Sequence, residues 1–103
     1  MPITILDVVC SPLQNKRFRI FIKYADKIKH YDFGLNSGST YIDHKDKKKR
    51  EAYRKRHYAN ESEKRLIDNF IPSPALFSYK LLWGENTDFF ENLNKLQADF
   101  YKK

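Results

Sequence analysis

From Arg17 to Phe33 the chain alternates polar and apolar side chains with the period of two that a half-buried β-strand requires. Arg17 and Arg19 fall on one side, with Phe18, Ile20 and Ile22 on the other, up to about Tyr24. After the short polar connection Ala25-Asp26-Lys27 the alternation resumes, with Ile28, His30 and Asp32 set against Lys29, Tyr31 and Phe33 until Gly34. Such a pattern predicts an antiparallel hairpin. Upstream, Ile3 to Cys10 is β-branched and apolar and is closed by Ser11-Pro12, which adds a third strand. Cys10 on that strand is expected to be a small buried hydrophobe. The polar run from Leu35 to Thr40 reads as a loop that ends the sheet.

The second half changes period. Asp43 followed by Asp46 resembles a helix N-terminus, and a helix is expected from about His44 to Ala59. Its buriable face is thin: Lys49, Tyr53 and His57 at helical spacing, with Ala52 beside them. Between Asn60 and Phe70, Leu66, Ile67 and Phe70 are spaced for a short helical turn or an ordered loop. Ser73-Pro74 reads as a cap followed by a first-turn proline, and Gly84 sits where a left-handed C-terminal cap is expected. The helix between them, 74–83, is almost uniformly apolar or aromatic and should lie at the centre of the core. A last helix, capped by Asn86 or Thr87, carries Phe89, Leu93, Leu96 and Phe100 on one stripe and ends in the cations of Tyr101-Lys102-Lys103.

At 103 residues there is room for one domain. The expected fold is α+β: a small antiparallel three-stranded sheet in the order β-β-β over 1–34, a basic helix over 43–59 and an aromatic-rich helical part over 73–103, about three helices in all. Tyr53, Leu82, Trp83, Phe89 and Leu93 are the expected core. No apolar run approaches the length of a membrane span, and the mean hydropathy is −0.76. A single cysteine makes no internal disulfide, and no charged-then-apolar leader opens the chain, so a reducing compartment, cytoplasm or nucleus, is expected.

The net charge of +7 is local. Residues 45–57 hold eight basic and two acidic side chains, nearly the whole excess. Such a run is a solvated helix, a surface that docks on an acidic protein, or a phosphate-binding face. The residues expected to make the contact are Lys47, Lys48, Arg50, Arg54 and Lys55 on the helix. Arg17 and Arg19 join them on a sheet face that stands positive beside the cations of the third strand. Metal and acid–base chemistry find no support in the spacing of His30, His44 and His57, and adjacent residues of Asp43-His44-Lys45-Asp46 point apart on a helix. His57 is expected to stack beside Tyr53 or to cap the helix end. No catalytic, cofactor-binding or metal-ligating residue is expected, and no enzyme.

One set of motifs goes further. Phe33-Gly34, Tyr41-Ile42-Asp43-His44-Lys45-Asp46, Tyr53 with Arg56-His57, Asn60-Glu61 and Leu76-Phe77-Ser78-Tyr79-Lys80-Leu81-Leu82-Trp83 occur in that order across roughly residues 31–85. The combination resembles the small basic proteins, largely uncharacterised, encoded by nucleocytoplasmic large DNA viruses. The resemblance implies a non-enzymatic, virion-associated protein. Taken with the basic helix and the aromatic-rich scaffold, it leads to the expectation of a minor capsid or cement role that bridges major and other minor capsid proteins, in particles assembled in the host cytoplasm or nucleus. Nonspecific contact with DNA, in genome packaging or regulation, is the alternative it leaves.

Overall fold

The structure, a computed structural model, describes residues 3–35 and 40–102. Three antiparallel strands come first: β1 (Thr4–Cys10), β2 (Lys16–Tyr24) and β3 (Lys27–Leu35), in the spatial order β1-β2-β3. Then follow α1 (Tyr41–His44), α2 (Lys47–Ala59), α3 (Glu61–Asp68), α4 (Pro74–Phe77), a π-helical stretch (Ser78–Leu82) and α5 (Phe89–Lys102). The fold is α+β as expected, with more helices than the sequence suggests. Of the loop expected over Leu35 to Thr40, residues 36–39 lie outside the described residues, as does Lys103.

The β2–β3 turn is tighter than expected. Tyr24 pairs with Lys27, so only Ala25 and Asp26 form the turn, both at positive φ (51° and 64°), the geometry that matches strand twist in a two-residue hairpin. In β1 the apolar positions change phase, from Ile3 and Ile5 to Val8. A bulge between Ile5 and Asp7 absorbs the extra residue, so that Ile5 opposes Ile22 and Val8 opposes Ile20 on the core side. Cys10, expected to be buried, is exposed at the end of β1. It stands opposite Phe18 at the margin of the sheet. The outer edge of β1 is clasped by α5: the Gln97 side chain accepts the Ile5 N–H (2.6 Å) and donates to the Ile3 carbonyl (2.8 Å).

One hydrophobic cluster joins sheet and helices, running from Ile3, Ile20, Ile22 and Phe33 through Ile67, Leu76, Phe77, Leu81 and Leu82 to Leu96 and Phe100. Leu82 is fully buried, while Tyr53, Trp83, Phe89 and Leu93 pack against the cluster from its margin. Gly34, at φ +80°, lets the end of β3 pass under Leu82, whose Cδ1 would lie 2.9 Å from an added Cβ.

The expected helix over 44–59 is broken. Lys45 takes the left-handed conformation (φ 59°) after α1, and Asp46 starts α2 afresh, its carboxylate accepting the N–H groups of Lys48 and Lys49. Asp43, expected to cap the basic helix, instead serves α1, accepting the Thr40 N–H and hydroxyl, both at 2.8 Å. It also receives both terminal nitrogens of Arg17, at 2.6 and 2.8 Å. The mixed segment after Asn60 is helical: Asn60 caps α3 and Ile67 is its buried residue. Ser73 and Pro74 start α4 as expected. The run then widens, and the Trp83 N–H donates five residues back to the Ser78 carbonyl. Gly84 does not supply the expected left-handed cap. Arginines do the capping: Arg54 Nε donates to the Trp83 carbonyl (3.0 Å) and Arg50 Nε to the Gly84 carbonyl (2.8 Å). Cations at the negative end of a helical segment satisfy carbonyls that lack partners of their own. The last helix is capped by Asp88 rather than by Asn86 or Thr87, the Asp88 carboxylate accepting the Phe90 N–H.

The Arg17–Asp43 pair ties β2 to the start of the helical half, and it has a pH signature. The guanidinium, ahead of the Thr40 hydrogen bonds, holds the Asp43 carboxyl well below the usual carboxylate range. A depressed folded-state pKa gives stability that is complete above the unfolded value of about 4 and is lost as pH falls toward the folded one. Asp43→Asn is therefore expected to be less stable than the parent at pH 7, with the gap narrowing progressively as pH falls below about 4. Urea unfolding at pH 7, 4 and 2.5 measures this, and a gap that stays constant with pH would remove the pair from the account.

Candidate functional site

At 3.6 residues per turn, Arg50, Tyr53, Arg54 and His57 share one side of α2. This inward side differs from the expected one, since Lys49 and Ala52 are exposed. A stack of rings fastens it. His57 lies 4.0 Å from Tyr53, Tyr53 lies 4.2 Å from Trp83 with the rings 6° from parallel, and Trp83 lies 5.3 Å from His44. His57 Nδ1 also meets Glu63 Oε2 at 2.5 Å, bracing α2 against α3. Burial raises the Tyr53 hydroxyl pKa to about 12, with the Glu63 charge adding to it. Behind the stack, Arg50 and Arg54 reach the end of the π-helical stretch, and their guanidinium carbons stand 5.3 Å from the Tyr41 centroid and 4.8 Å from the Tyr79 centroid. These two of the expected contact residues are turned into the protein.

The opposite side presents Lys48, Ala52, Lys55 and Ala59, flanked by Lys49 and Arg56, all exposed. Among the described residues, none of Lys45, Lys47, Lys48, Lys49, Lys55 and Arg56 forms an ion pair. Glu51 is the one acid in α2, and it is held by Arg50. Lys48 and Lys55 are seven residues apart, about 10.5 Å along the axis, with only alanine between them on that line. A flat cationic strip on a helix that is clamped from behind is what results. Lys47, Lys48 and Lys55, the residues expected to make the contact, are exposed, and Lys49 and Arg56 lie beside them. The signal that would have found them is angular: Tyr53 and His57 mark the inward side, and the outward side is whatever lies half a turn away.

The sheet does not contribute the cations expected of it. Arg19 sits directly across from Asp32 and donates to both its oxygens, at 3.0 and 3.2 Å, while Ser11 donates to the same carboxylate at 2.6 Å. These hydrogen bonds, Arg19 first, lower the Asp32 pKa. Arg17 is occupied by Asp43. Both arginines are answered within the chain rather than displayed beside lysines.

A second surface forms around Phe89 and Phe90, two of the last helix's aromatic residues, of which Phe89 belongs to the expected core. Between β1 and the start of α5, Ile5, Leu6, Phe18, Ile42, Phe89 and Phe90 border a groove of about 460 Å³. Phe18 and Phe89 stack on its floor at 5.1 Å, whereas Phe90 is 72% exposed and Leu6, the bulged residue, 46%. Side chains of this size left in water mark contact surfaces. No helix among the described residues is long and apolar enough to cross a membrane.

Strand order, the Arg17–Asp43 link and the cationic strip all fall within one stretch of the chain, and it is this stretch that is shared with other proteins. The model of a family of unknown function, DUF5754, matches residues 6–57, and the chain belongs to that family. The match takes in most of the sheet, α1 and α2 as far as His57. No curated protein and no solved structure matches the chain.

Proposed function

We propose that this protein is a non-enzymatic structural component of a large DNA virus particle, a minor capsid or cement protein that bridges capsid subunits. The outer face of α2 docks on an acidic surface of one subunit, and the groove beside Phe90 receives a second contact. The observation that carries the reading is the unpaired strip of Lys48, Lys49, Lys55 and Arg56 on a helix held rigid by the Trp83–Tyr53–His57 stack. Preorganised cations lose little freedom on binding, and complementary charge sets orientation and partner choice. Exposed apolar side chains at the groove favour a protein partner over phosphate. The resemblance to proteins of large DNA viruses supplies the setting, with major and other minor capsid proteins as the partners.

Quantifying the protein in purified particles is the first test, and its absence from them would end the cement reading. Charge reversal is the second. Lys48→Glu with Lys55→Glu changes two solvent-exposed positions, so the fold should lose no more than about 1 kcal/mol. Retention in particles is expected to fall at least about tenfold, equivalent to 1.4 kcal/mol. The competing reading is a nonspecific nucleic-acid-binding protein that uses the same six cations. It requires log affinity for random duplex DNA to fall with log salt at a slope of about −5. That slope, found together with unchanged particle retention of the double variant, would replace the cement reading by the nucleic-acid one.

A further inference from the structure

Away from the outer strip, Arg54, Lys80 and Lys95 line a small cavity of about 30 Å³ together with Asn92, Glu85 and Asp99. Three cations face two carboxylates, and the pairing among them is uneven. Lys95 is bound to Glu85. Among the described residues Lys80 forms no ion pair with any carboxylate, Asp99 included. Its ammonium rests instead 4.8 Å from the Phe70 centroid and 5.7 Å from that of Tyr79, the ring that also carries Arg54. Arg54 uses Nε on the Trp83 carbonyl, and its two terminal nitrogens donate to nothing among the described residues.

Ring faces offset part of the cost of removing an ammonium from water, but two neighbouring cations on one phenol ring leave that cost incompletely answered. Burial lowers the Lys80 pKa and the Arg54 and Lys95 charges lower it further, against the opposing effect of Asp99 and Glu85. A cavity needs about 10–15 Å³ to hold one water, so this one has room for about two water-sized atoms, such as two oxygens of one acid group, and excludes an aromatic ring or a sugar. The parallel N–H groups of a guanidinium suit two oxygens of one acid, and an ammonium suits a point of negative charge.

We infer that this cavity receives one small oxyanion, a carboxylate or phosphoryl group, held between the terminal nitrogens of Arg54 and the ammonium of Lys80. The site is separate from the outer strip of α2 and does not depend on the docking proposed for it.

The test uses the full chain with isotope-labelled lysine, followed by NMR while sodium acetate or inorganic phosphate replaces chloride at constant ionic strength. Lys80 should show a saturating shift in at least one of the two salts, and its titration midpoint should rise by about 1 to 3 units in that salt. Saturation with acetate assigns a carboxylate, and saturation with phosphate a phosphoryl group. Lys48 and Lys55 should respond only weakly and linearly. A Lys80 response that is flat, or as linear as theirs, in both salts overturns the inference. Lys80→Met, which keeps the apolar stem, should abolish saturable binding seen by calorimetry, and binding that survives in the folded variant overturns it as well. Should that variant fail to fold, the titration of the parent chain decides alone.

Discussion

Phe77→Ala is expected to lower the unfolding free energy by about 3 to 5 kcal/mol. Phe77 is fully buried, and its ring lies 5.6 Å from Tyr31 and 5.8 Å from Phe33, where α4 covers β3. Phe77 belongs to the buried hydrophobic cluster, so the variant loses both the transfer energy of the ring and the contacts of its neighbours. Domains of this size have about 5 to 15 kcal/mol in total, so the variant loses a large share of its stability. Urea denaturation with fluorescence of Trp83 reports it. A loss below about 1 kcal/mol would mean that α4 does not cover the sheet at this point.

Gly84→Ala comes second and acts in the opposite way, by adding an atom. A Cβ there would stand 2.3 Å from the Lys80 carbonyl oxygen and 2.8 Å from Asn92 Oδ1. Asn92 is buried and committed: it donates to the carbonyls of Leu81 (3.1 Å) and Asn86 (2.8 Å) and accepts the Asn86 N–H (3.0 Å). Overpacking of this kind costs about 3 kcal/mol, which lowers the melting temperature of a domain near 100 residues by on the order of 15 °C. The nearer obstacle is main chain. The penalty should therefore persist in an Asn92→Ala background, although that substitution removes the second contact. Calorimetric melting of the two single variants and the double variant separates the contributions. A penalty that vanishes in the double variant would make Asn92, not the Lys80 carbonyl, the obstacle.

How far these features could be read from residues alone depends on their range. The strands follow from alternation in Arg17 to Phe33, because period two is local. The Arg19–Asp32 pairing was also within reach. A two-residue turn at Ala25-Asp26 sets Tyr24 against Lys27, and counting outward from there brings Arg19 opposite Asp32. Reading the connection as three residues hides that pairing and leaves a falsely positive sheet face. The bulge left a trace in the phase change between Ile5 and Val8. Lys45 left none, since a lysine at positive φ announces nothing, so α1 and α2 read as one helix. The π-helical stretch is equally silent, its apolar residues suiting either hydrogen-bond spacing. Cys10 and the groove at Phe90 depend on where the helices stop covering the sheet, a tertiary matter. On α2 the cationic character was plain, while the division between Arg50 and Arg54 inside and Lys48 and Lys55 outside required knowing that Trp83 and Gly84 lie behind it.

The clasp made by Gln97 bears on how copies of this protein can gather. Its amide occupies the N–H of Ile5 and the carbonyl of Ile3, the groups through which a foreign strand would lengthen the sheet at that margin. Ribbon-like polymerisation is thereby discouraged at its starting point. A second copy therefore cannot extend the sheet through this stretch of β1 without displacing Gln97.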